Sequence, residues 1–106
     1  MTFQKLGKEF EELRDEYRRG MPEKLARVEK LWAIVAASAS VGRPFQELCR
    51  ELHTIAGSAG SFEIPGLSEA ALAAENLLVS TAKVGEPERR IMEKLLEEMR
   101  GASAAR

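Results

Sequence analysis

The chain has one cysteine, Cys49, among its 106 residues, so no disulfide can form within it. Its longest apolar stretch, residues 31–37, is far short of the ~20 residues a membrane helix needs. No stretch near the start has the apolar run of a secretory signal, and the expected location is cytoplasmic. An excess of positive charge is also missing: 16 Lys and Arg stand against 17 Asp and Glu, a formal net charge of -1. Nothing is left over to neutralise a phosphate backbone, which argues against nucleic acid as a partner. Alternation of apolar and polar residues, the mark of a half-buried strand, is absent. What remains is 44% hydrophobic and 31% charged, the balance of a globular protein, at a length that suits one domain over residues 1–106.

The four prolines fall at 22, 44, 65 and 87, and three of them follow a glycine by two residues: Gly20-Met21-Pro22, Gly42-Arg43-Pro44 and Gly85-Glu86-Pro87. Glycine past a helix end and proline at the next helix start are the usual boundary marks. Between these marks the apolar residues recur at helical spacing, as in Phe3, Leu6, Phe10, Leu13 and Tyr17, then Leu25, Val28, Leu31, Trp32 and Val35. The pattern predicts five helices near residues 2–19, 22–40, 44–61, 67–84 and 87–100, with a frayed tail over 101–106. Short connections make neighbours antiparallel, so the expected all-α fold is an up-and-down four-helix bundle with an additional N-terminal helix. Trp32 continues the Val28 and Val35 stripe and belongs in the bundle.

A helical bundle states no function by itself, and the side chain best suited to chemistry here is the one histidine. At about 100° per residue, the apolar stripe of the third segment centres near Leu52 and Ala59, which puts His53 at the boundary between core and water. Gln46, Arg50, Gly57 and Gly60 share its surface. Two glycines inside a helix cost roughly 1 kcal/mol each relative to alanine, and one reading is that they clear the approach to the ring. The other is structural: a half-buried histidine, and a Gly-Ser-Ala-Gly-Ser run that forms a loop or a close helix crossing. The same angular count on the fourth segment puts Glu75 at the corresponding edge, and Ile64 in the connection is 11 residues from each. His53 and Glu75 are therefore expected to face each other. A carboxylate that accepts the Nδ1 proton fixes the tautomer and leaves Nε2 as the outward nucleophile, although such a pair can equally be a plain structural hydrogen bond.

The run His53-Thr54-Ile55-Ala56-Gly57-Ser58-Ala59-Gly60-Ser61-Phe62 resembles the signature of histidine-containing phosphotransfer (HPt) domains, and Ala74-Glu75-Asn76-Leu77-Leu78 is similar to the phosphotransfer domain of chemotaxis histidine kinases. The resemblance implies an antiparallel helical bundle in which His53 accepts a phosphoryl group and Glu75 pairs with it. A histidine kinase and a response-regulator receiver domain are the implied partners. The usual lysine three residues after the histidine is Ala56 here, and the glycine often found ten residues after it is Glu63. Arg50, one turn before His53, is the candidate replacement charge. Together with Ala56, Gly57 and Gly60 it forms the expected receiver-docking surface. The chain lacks the GxxxxGK phosphate loop and an acidic metal cluster, so neither cofactor nor metal is expected on it. Mg²⁺ and ATP would belong to the kinase, and Mg²⁺ and aspartate to the receiver, which makes the chain a phosphorelay intermediate rather than an enzyme.

Three other readings are open to the same residues. A degenerate helical adaptor that binds receivers or a kinase without carrying phosphate draws support from Ala56. A metal-binding bundle would use Cys49 and His53 at i, i+4, but the sequence has no second His or Cys. A nucleophilic hydrolase would need a serine or cysteine partner for His53 outside its own helix.

Overall fold

The computed structural model describes residues 2–38 and 42–104, with side chains from residue 7 onward. It has four helices, α1 (Thr2–Ser38), α2 (Arg43–Ser61), α3 (Leu67–Ser80) and α4 (Glu86–Ala104), and no strand among the described residues. Each helix packs on the next, and α4 returns to α1, so the four close into a ring around one core. Met21, Leu25, Val28 and Val35 of α1, Leu48, Leu52 and Ile55 of α2, Leu67 and Leu78 of α3, and Met92 and Met99 of α4 fill that core. Trp32 is buried among them.

The expected separate N-terminal helix does not exist. Residues 2–38 form one helix of 37 residues with Pro22 inside it, about 55 Å at about 1.5 Å per residue, matching the longest dimension of the molecule, 54 Å. Pro22 has no N–H to give the carbonyl of Arg18, a defect of ~3 kcal/mol in a helix interior. Two features carry the helix through it. Gly20 does not adopt the left-handed conformation with which a glycine ends a helix. Met21, Leu25 and Val28 are buried on either side of the proline, and each such side chain contributes roughly 1.5–3 kcal/mol by leaving water. The other prolines behave as boundary marks: Pro44 and Pro87 are the second residues of α2 and α4, and Pro65 lies between α2 and α3.

Two further boundaries move. α3 ends at Ser80 instead of 84, while Val84 stays buried in the connection to α4. α4 continues to Ala104, so the tail expected to fray from 101 is helical, with Ala102 packed against the core; residues 105–106 lie outside the described residues, as do the expected helix positions 39 and 40.

The turn from α2 to α3 sets the level of the two helices. Ile64 N–H bonds to the Ala59 carbonyl at 3.1 Å and Glu63 N–H to that of Gly60 at 3.1 Å. This is the paired closure that needs a left-handed residue after the helix, and Glu63 supplies it with φ 55. Ile64 drops into the core. Glu69 accepts the Gly66 N–H at 2.6 Å and caps the start of α3.

Candidate functional site

Leu48, Leu52, Ile55 and Ala59 hold α2 against the core, and His53 follows Leu52 by 100° of helical turn. On α3, Ala70, Ala71, Ala74 and Leu78 are buried, and Glu75 is offset from Ala74 in the same sense. The two side chains meet: His53 Nδ1 lies 3.0 Å from Oε2 and 3.2 Å from Oε1 of Glu75. A carboxylate can only accept, so Nδ1 carries the proton of this bond, and in the neutral ring the lone pair is then at Nε2. The imidazole side chain is 76% exposed, whereas that of Glu75 is 18% exposed. His53 is thus further out than the half-buried edge expected for it, because α3 meets its ring from one side only. Its inner neighbour Cys49 is half-buried, and its thiol pKa is raised first by burial and then by the negative charge of Glu75. A thiol held neutral in this way is a poor nucleophile.

Arg50 is exposed and has no acidic partner among the described residues. Ala56, which stands in place of the usual lysine, is half-buried against the core, and its carbonyl accepts the Ser68 hydroxyl at 2.7 Å. The two glycines part company. A Cβ on Gly57 would meet nothing within 4 Å, so this residue leaves open space beside His53. A Cβ on Gly60 would lie 3.3 Å from Ser68 Oγ, so Gly60 is part of the close approach of α2 and α3 as well as an exposed position.

The sequence reading missed two features. Leu72 and Val79 flank Glu75 one turn away on either side and are 48% and 63% exposed. Extending the angular count beyond Glu75 finds them, since both lie further from the Ala74 stripe. The other is the anchor at the far end of α2: Tyr17 OH lies 2.7 Å from Ser58 Oγ, which donates to the Thr54 carbonyl, and the Tyr17 ring stacks on Phe62 at 4.8 Å. No local pattern signals a contact over 41 residues. Burial, partly opposed by the Ser58 bond, raises the Tyr17 pKa. Among the described residues, no three of His, Cys, Asp and Glu are grouped to hold a metal ion.

Against this geometry stand three comparisons with known proteins. The Hpt domain family model matches residues 12–105. The search of curated proteins returned no match. Nor did any solved structure match.

Proposed function

Since the chain belongs to the Hpt domain family, the phosphotransfer domains of two-component signalling, we propose that His53 is its phosphoryl-accepting residue. The observation that carries this reading is an exposed imidazole whose Nδ1 is occupied by Glu75, leaving Nε2 open to an incoming group. In the inward step the Nε2 lone pair attacks phosphorus, a P–N bond forms, and the bond from phosphorus to the donor's oxygen breaks. Glu75 holds the Nδ1 proton throughout and balances the positive charge the ring acquires. In the outward step a receiver's aspartate attacks phosphorus, and the electron pair of the P–N bond returns to Nε2. Because Nδ1 is still protonated, the ring leaves as neutral imidazole.

On this reading the chain supplies the nucleophile and its positioning group, and no cofactor or metal of its own. A histidine kinase brings ATP and Mg²⁺, and a receiver domain brings aspartate and Mg²⁺. Arg50, exposed and one turn before His53 on the same helix, is the candidate to supply the charge that Ala56 lacks. Gly57 and Gly60 keep the docking surface low. The pairs 53 with 75 and 60 with 68 rise in one helix as they fall in the other, which supports antiparallel packing of α2 and α3, as an up-and-down bundle requires. No described helix is long and apolar enough to cross a membrane. The reading is of a cytoplasmic single domain over 1–106, without a nucleic-acid partner.

The test is uptake of acid-labile label from phosphorylated receivers of the source genome. The wild type takes up label and His53→Gln takes up none. Glu75→Ala folds normally and transfers about ten- to a hundredfold more slowly. A chain that binds receivers but never acquires label would instead be the adaptor to which Ala56 points.

A further inference from the structure

The seam between α1 and α4, opposite in the ring to the seam that holds His53 and Glu75, contains a cleft of about 510 Å³. That is within the usual range for small-molecule sites, roughly 300–1,000 Å³. Pro22, Leu25 and Ala26 of α1 and Ala104 of α4 give it an apolar lining.

Charge is distributed unevenly around it. Arg18, Arg19 and Arg100 face two carboxylates, Asp15 and Glu29. Arg100 and Glu29 pair with each other. Arg18 and Arg19 are left without an ion-pair partner among the described residues, against Asp15 alone. Nε of Arg18 is buried without a hydrogen-bond acceptor among them, as are those of Arg14 and Arg89, which do not line the cleft. Because that nitrogen has no open surface, an anion in the cleft would be met by the Nη donors of Arg18, beside the charge of Arg19.

We infer that this cleft is a binding site for a small organic anion, a carboxylate or phosphate ester joined to an apolar body. The anion takes the guanidinium of Arg18, with Arg19 adding charge at the rim. The apolar body rests on Pro22 and Ala26. Because the cleft opens on the other seam, its occupant leaves His53 free, and the inference stands apart from the phosphotransfer reading.

Titration of the ¹⁵N-labelled chain with phenyl phosphate and, separately, benzoate tests it. Either probe should give saturable amide shifts centred on residues 18–26 and 100–104, and the head that binds more tightly identifies the natural one. Arg18→Gln and Arg19→Gln, each first checked for native helicity, should weaken binding by about fivefold or more, while Arg43→Gln on the exposed start of α2 should not. Inorganic phosphate should bind at least about tenfold more weakly than phenyl phosphate, since it lacks the apolar body. The inference is overturned by the absence of saturation with both probes up to about 10 mM, by shifts centred on α2 and α3, by inorganic phosphate binding equally well, or by folded Arg18 and Arg19 variants that bind as the wild type does.

Discussion

The hydroxyl of Ser68 donates to the Ala56 carbonyl across 2.7 Å, joining α3 to α2 at a point where Gly60 has no side chain to obstruct it. This bond adds to the apolar contacts and the turn at Ile64 that hold α3 against α2. Ser68→Ala should cost about 1 kcal/mol. Gly60→Ala should gain nothing in the wild type, because its methyl group displaces the Ser68 hydroxyl, yet stabilise by about 1 kcal/mol in a Ser68→Ala background. Equal effects of Gly60→Ala in both backgrounds, measured by urea denaturation, would dissolve the coupling.

Gly57 should behave in the opposite way. With open space where its Cβ would stand, Gly57→Ala should stabilise by up to about 1 kcal/mol through helix propensity and a stiffer unfolded chain. Gly57→Gln should fold normally and slow phosphoryl transfer, as its side chain fills the approach to Nε2. Destabilisation by alanine together with rapid transfer by the glutamine variant would reject the open-surface role.

Glu63 occupies a left-handed conformation that costs a residue with a Cβ about 1–2 kcal/mol. Glu63→Gly should therefore raise stability by up to about 1 kcal/mol after the greater freedom of glycine in the unfolded chain is subtracted. A midpoint of denaturation that does not rise would mean that Glu63 makes an offsetting contribution.

The thiol of Cys49 responds to Glu75 as well as to burial. Glu75→Gln should lower the midpoint of the alkylation rate against pH, though not to that of an ordinary thiol, since the larger cause, burial, is untouched. An unmoved midpoint would separate the two residues electrostatically.

Cys49 and Tyr17 are both held neutral by the fold, with pKa values raised above their ordinary ones. The stability this gives is complete below the ordinary values and is lost as pH rises through the raised ones. Urea midpoints should fall on the alkaline side, and Cys49→Ser combined with Tyr17→Phe should flatten that fall. A slope unchanged in the double variant would assign it to other groups.

The facing of His53 and Glu75 was legible because helical rotation and equal distance from Ile64 are properties of the chain alone. How far the ring stands in water was not, since exposure depends on what α3 covers. Helix boundaries followed the same division. Pro44 and Pro87 could be read from their neighbours, but the Gly20-Met21-Pro22 motif lost to the burial of Met21 and Leu25, a tertiary effect that no local rule contains. Glu63 is the converse case. Its departure from the expected glycine was visible in the sequence, but its meaning emerged only with its backbone angle.

Pro22 leaves a mark that amide exchange can read. It has no amide proton of its own, and the Arg18 carbonyl behind it lacks the usual helical donor, so the hydrogen-bond ladder of α1 has a gap there although the rod is continuous. From residue 7 up to the gap α1 is largely exposed, whereas beyond it Leu25, Val28, Leu31 and Val35 are buried. One helix therefore holds two protection regimes. Amides before the gap are held by the Phe10 and Tyr17 contacts with Phe62 and Ser58 and open at less free-energy cost, and those well beyond it exchange only when the bundle itself unfolds.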